Sequence, residues 1–119
     1  MWIAEQGRRR PQADGTALVG QVTLPGDPAG VYLGGERRGA PVFAPGGYAW
    51  RPALDQQVLV IKTGAEGELP CVAGARCPEV ALAPGEVCIR AWDGMASVLL
   101  RSNGVIELSG FVRVNGEQV

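Results

Sequence analysis

The run Glu86–Val114, EVCIRAWDGMASVLLRSNGVIELSGFVRV, constrains the chain more than any other stretch. Val87 and Ile89 alternate with Cys88 and Arg90. Ala96, Val98 and Leu100 alternate with Ser97, Leu99 and Arg101. Ile106 and Leu108 alternate with Glu107 and Ser109, and Val112 and Val114 with Phe111 and Arg113. Period two over four segments predicts four short strands, each with one apolar and one mostly polar face. Asp93-Gly94, Asn103-Gly104 and Gly110 separate them, and Asp-Gly and Asn-Gly are tight-turn pairs because those residues tolerate positive φ.

Such a ribbon cannot fold by itself. Ordering a residue costs roughly 1–2 kcal/mol. A large aliphatic side chain returns about 1.5–3 kcal/mol, and only when it leaves water. The apolar stripe must therefore pack on the rest of the chain or on copies of itself.

The rest of the chain is small. At 119 residues there is room for one domain and an appendage. Eighteen glycines and nine prolines, spread along the sequence, suit many short strands joined by turns. With two phenylalanines and two tyrosines, the core is expected to be aliphatic. A net charge of −1 offers no field to attract nucleic acid or an anionic membrane. No apolar run approaches the ~20 residues of a membrane-spanning helix, and MWIAEQGRRRP does not read as a signal peptide. Synthesis and assembly in the cytoplasm are expected. Three cysteines, Cys71, Cys77 and Cys88, suit free thiols in a reducing compartment.

Residues 1–14 form a polar arm with Arg8, Arg9 and Arg10 ahead of Pro11. One reading is a solvated arm. The other is a docking arm, with Trp2 and Ile3 as anchors and the arginines meeting an acidic groove on a neighbouring subunit or hub. TALVGQVTL, Thr16–Leu24, predicts the first strand, with a bulge or bend at Gly20. GVYLGG, APVFA, GGYAWRP, QQVLVIKTG and ELPCVAGA follow, each short and bounded by glycine or proline. The near-continuous apolar run Gln57–Thr63 predicts a strand buried on both faces. ALDQQ at 53–57 reads as a single turn or a loop. Residues 15–82 thus match a small Greek-key barrel of the OB type, and Ala83-Pro84-Gly85 the joint to a second β-unit, 83–119.

Catalytic chemistry finds little material. The absence of histidine removes His-dependent triads, most zinc sites and the commonest general base. Cys71 and Cys77 have the spacing CxxxxxC and lack a fourth thiolate, so no metal is expected. Glu36, Asp55, Glu66, Glu68, Glu79 and Glu86 lie at turn positions, where solvated charge is expected. No cofactor and no enzyme activity are implied. Tyr32, Tyr48, Trp50 and Arg51 are the candidates for single-strand stacking, with Tyr48 and Trp50 read instead as caps on the barrel core. Gly34-Gly35 and Gly46-Gly47 form no phosphate loop.

Two blocks carry a family resemblance. The first holds Trp50, Pro52, Asp55, Val58, Leu59 and Val60. The second holds Gly85, Glu86, Val87 and Ile89, then Ala96, Ser97, Val98, Leu100, Gly104, Ile106, Glu107, Leu108, Gly110, Val112, Val114, Asn115 and Gly116. Over roughly residues 15–116 the chain resembles the baseplate central spike proteins of contractile-tailed phages, including the Mu-like group, and of related phage-tail-like particles. The resemblance implies an all-β homotrimer. An N-terminal OB-like barrel is followed by a C-terminal needle, an intertwined trimeric β-helix or β-prism. It implies a trimer interface made by Val87, Ile89, Ala96, Val98, Leu100, Ile106, Leu108, Val112 and Val114. It implies a baseplate hub protein as partner, the host envelope as target, and a place in the virion or particle tail. Arg90, Glu107 and Arg113 would face outward. Trp92, Leu99 and Phe111 fall on the outward side too. Spikes of this family commonly end in a histidine-containing metal-binding apex, and the needle here stops at Val119 without a histidine. The expectation is a blunt tip, a separate tip protein, or a spike that mainly plugs and centres the baseplate. The alternative is an OB-fold binding module for single-stranded nucleic acid or a glycan, with the C-terminal ribbon as an oligomerising arm.

Overall fold

The computed structural model describes residues 17–64 and 68–119. They are all-β, and no helix occurs among them. They form two compact units that divide between Arg76 and Cys77. Ala83-Pro84-Gly85, read from sequence as the joint, lies inside the second unit as a turn. It is closed by the Glu86 N–H donating to the Ala83 carbonyl at 3.0 Å, with Gly85 at φ 91°.

The first unit is a five-stranded antiparallel sheet. Its strands are β1 (Ala17–Leu24), β2 (Ala29–Tyr32), β3 (Glu36–Ala40), β4 (Gln57–Thr63) and β5 (Leu69–Ala75), in the order β3-β2-β1-β4-β5. Just past β3, Val42 makes a parallel bridge to Val72 of β5. The Phe43 N–H donates to the Val72 carbonyl and the Val72 N–H to the Pro41 carbonyl, both at 2.8 Å. The two edges of the sheet are thereby tied together, and the core lies inside. Val22, Val31, Val58, Val60 and Val72 fill it with Ala29 and Ala40. Valine suits this place because its branched side chain is stiff and packs well on a pleated surface.

Several expectations need correction. β4 is buried on one face only. Val58 and Val60 are buried, while Leu59 is 43% and Ile61 37% exposed. Its neighbours β1 and β5 cover the edges, and no second layer among the described residues covers the outer face. APVFA and GGYAWRP are not strands. Pairing of β3 with β2 ends at Ala40, because Pro41 lacks an N–H. The next stretch turns at Pro45–Tyr48, where the Tyr48 N–H donates to the Pro45 carbonyl at 3.0 Å and Gly47 has φ 88°. ALDQQ, by contrast, is a turn as expected, in which the Gln56 N–H donates to the Ala53 carbonyl at 3.1 Å and Asp55 sits at φ 69°. Gly20 carries no bulge, and the β1–β2 register shifts between Val22 and Leu24 instead. Gly20 serves close packing, since a Cβ there would meet Leu33 Cδ2 at 2.5 Å and the Tyr32 carbonyl at 3.0 Å.

The second unit holds β6 (Val87–Arg90), β7 (Ser97–Leu100) and β8 (Ile106–Ser109), an antiparallel sheet in chain order. Both connections use one device. In the first, Asp93 Oδ1 accepts from the Met95 N–H at 2.9 Å. In the second, Asn103 Oδ1 accepts from the Val105 N–H at 3.0 Å. Gly94 and Gly104 take φ 78° and 89°. The short side chain folds onto its own backbone while glycine makes the reversal. The fourth predicted strand shortens to β9 (Arg113–Val114), which pairs with β10 (Glu117–Gln118). Asn115 (φ 53°) and Gly116 (φ 82°) make that turn, with the two positive φ values of a tight hairpin.

Candidate interaction face

Cross-strand register decides which side chains share a face. Val87 pairs with Leu100, and Leu100 with Ile106. Ile89 pairs with Val98, and Val98 with Leu108. Directly opposed residues point the same way. The three strands therefore present two rows of three aliphatic side chains on one side of the sheet. The opposite side carries Cys88, Leu99 and Glu107 in one row and Arg90, Ser97 and Ser109 in the other.

The apolar face is wet. Val87, Ile89, Leu100, Ile106 and Leu108 are 45%, 53%, 41%, 66% and 58% exposed, and Val98 at the centre is half-buried. No residue of the second unit reaches full burial. Single exposed aliphatics are ordinary, but a contiguous block on a regular sheet marks an interaction surface.

One polar cluster braces this sheet. The Glu86 carboxylate accepts from the Ser102 and Ala83 N–H groups (2.9 Å each), and from Arg101 Nη1 and Ser102 Oγ (3.2 Å each). Arg101 also donates through Nε to Glu107 at 2.6 Å and through Nη1 to the Ala81 carbonyl at 2.9 Å. The Glu86 side chain is only 8% exposed. The Ser102 and Ala83 amides, with Arg101 and the Ser102 hydroxyl behind them, hold its pKa down at about 2 against the ordinary 4.5. The same two carboxylates, Glu107 first, push the Arg101 pKa up. Glu86 is thus a structural anchor tying the turn before β6 to the one after β7, not the solvated turn charge expected. Arg101 escaped the sequence reading because its partners lie 15 and 6 residues away, at no helical or strand spacing.

Of the nine residues assigned to a trimer interface, the sheet brings six together. Ala96 lies in the turn ahead of β7, its carbonyl accepting from the Ala91 N–H at 3.0 Å. Val112 (38% exposed) precedes β9, and Val114 (56%) pairs within the separate β9–β10 hairpin. Trp2, Ile3, Arg8, Arg9 and Arg10 lie outside the described residues, as does Glu66. Trp50 caps the core of the first unit, its Nε1 donating to the Phe43 carbonyl at 3.3 Å, whereas Tyr48 is 64% exposed and caps nothing. Arg51 donates to the Trp50 carbonyl at 3.1 Å. Cys71, Cys77 and Cys88 are free thiols, and Cys71 Sγ donates to the Ile61 carbonyl at 3.3 Å. Among the described residues no group of three His, Cys, Asp or Glu side chains is placed to hold a metal.

A scan of the chain against protein-family models and a search of curated proteins each return no match.

Proposed function

We propose that this chain is a structural component of a contractile tail, the homotrimeric central spike of a baseplate. The six-residue apolar face of β6–β8 carries this reading. A sheet so placed gains only by covering that face, and copies of itself supply a partner of matching shape. Three copies around a threefold axis would dry the face, leaving Arg90 and Glu107 of the opposite side in water.

The first unit supports the reading through its strand order. The arrangement β3-β2-β1-β4-β5, returned from the end of β3 to β5 by the Val42–Val72 bridge, is compatible with the small OB-type barrel that this reading requires. In this role the first unit engages the baseplate hub, and the second supplies the shaft. Sheath contraction drives tube and spike at the target envelope. In the trimer the shaft would transmit force through strand edges paired between copies, and no turnover is required.

Light scattering on the purified protein tests the proposal. A mass about three times the 12.5 kDa of the chain is expected, and a stable monomer refutes it.

A further inference from the structure

Two turns of the second unit are built on the same dipeptide, Asn103-Gly104 and Asn115-Gly116. Asn-Gly is chemically labile. The glycine backbone nitrogen attacks the asparagine Cγ, and glycine has no side chain to hinder that approach. The nitrogen gives up its proton, a cyclic imide forms, and ammonia leaves. Water then opens the ring at either carbonyl, which yields aspartate or isoaspartate. The nitrogen and Cγ must meet, so hydrogen bonds that hold either group slow the reaction. In the first turn both are held. The Gly104 N–H donates to the Arg101 carbonyl at 3.1 Å, and Asn103 Oδ1 accepts from the Val105 N–H at 3.0 Å. Its flanks are fixed as well, with the Arg101 N–H on the Val105 carbonyl and the Ser102 N–H on Glu86, both at 2.9 Å. Four cross-strand pairs between β7 and β8 continue from it.

We propose that Asn115 is a site of spontaneous deamidation, and that the turn at Asn103 protects the identical dipeptide there. Around Asn115 the hold is slight. Its hairpin has two cross-strand pairs, Val114 with Glu117 and Arg113 with Gln118, and the Val119 N–H adds a bond to the Val112 carbonyl at 2.8 Å. β9 and β10 make a sheet of their own, and every residue from Phe111 to Val119 is exposed. A lone two-stranded hairpin is marginally stable in water, so it opens at little cost and frees Gly116 to attack. The product carries a new negative charge two residues from Glu117. In isoaspartate the main chain runs through the side-chain carbon and is longer by that atom. Loop length fixes the register of a two-residue hairpin, so the longer backbone no longer matches β9 to β10. Deamidation thus removes the hairpin irreversibly. The six-residue apolar face belongs to the other sheet and is left as it was.

Mass spectrometry on the full chain, aged in mildly alkaline buffer, tests this. Tryptic cleavage after Arg101 and Arg113 puts the two asparagines on separate peptides, 102–113 and 114–119, so each conversion of amide to acid is read by itself. In the native protein Asn115 is expected to convert at least about tenfold faster than Asn103. In concentrated urea the two rates are expected to agree within about threefold, since the dipeptide is the same and no turn protects it. Glu86→Gln, which weakens the hold on Ser102, should raise the Asn103 rate and leave the Asn115 rate within about twofold. Equal native rates, or a faster Asn103, overturn the assignment. A tenfold difference that persists in urea belongs to the flanking residues and overturns it too. So does an Asn115 rate that is slow in concentrated protein and rises on dilution, which would give the hairpin a partner in a second copy.

Discussion

Val98 sits in the middle strand of the second sheet, flanked on one face by Ile89 and Leu108. Replacing it by aspartate puts a charge at the centre of the surface proposed to close the trimer. The five exposed neighbours on that face retain 41–66% of their surface in water. Full burial of such a side chain is worth about 1.5–3 kcal/mol. Covering the remaining half therefore returns about 1 kcal/mol each, or about 5 kcal/mol per chain. A carboxylate carried into a dry interface costs several kcal/mol, and three meeting on one axis repel one another as well. Penalty and gain are of one size, so Val98→Asp removes most of the driving force. Size-exclusion chromatography with light scattering reads the result: one chain mass for Val98→Asp, and three for the wild type. Ser109→Asp, at an exposed position on the opposite face of the same sheet, is the control and keeps the trimer. A Val98→Asp protein that keeps the wild-type mass and melting temperature refutes the assignment of this face.

The Glu86 anchor sets an acid limit. Its folded pKa of about 2 lies below the ordinary 4.5. Its contribution is therefore fully present above about pH 4.5 and is lost as pH falls toward 2. Melting temperature followed from pH 6 to about 2 should drop through that window, and Glu86→Gln should lower the plateau and flatten the drop. An unchanged pH profile in Glu86→Gln would show that other groups govern acid stability. In the first unit, Val60→Ala should cost about 2–3 kcal/mol in urea denaturation, and Leu59→Ala on the outer face under about 1 kcal/mol. Equal costs would contradict one-face burial of β4. Gly20→Ala forces a methyl against Leu33 and should destabilise by about 1–3 kcal/mol. Leu33→Ala in the same chain should recover part of that loss, and no recovery would place the strain at the Tyr32 carbonyl.

Much of the second unit was legible from the residues. Alternation fixed which side chains of β6, β7 and β8 share a face, because a strand's side-chain period is two wherever it lies. Asp93-Gly94 and Asn103-Gly104 fixed the reversals, since few other pairs accept that backbone. The same reasoning failed at β4, where Leu59 and Ile61 are as apolar as the core but look outward. It failed again at GGYAWRP, where a short run bounded by glycine and proline suggested a strand and the Pro45–Tyr48 turn decided otherwise. Hydrophobicity states what a side chain prefers, not whether a second layer arrives to satisfy it.

The sequence by itself determined the all-β class, the aliphatic core and the apolar stripe of the C-terminal run, for these follow from local sterics and periodicity. Only the tertiary structure decided that six of the nine stripe residues form one continuous face while Val112 and Val114 turn aside into a hairpin. It alone showed that Glu86 and Arg101 lock the sheet. Each of these depends on which distant backbone happens to lie alongside, and that is settled by register and closure rather than by any residue's own preference.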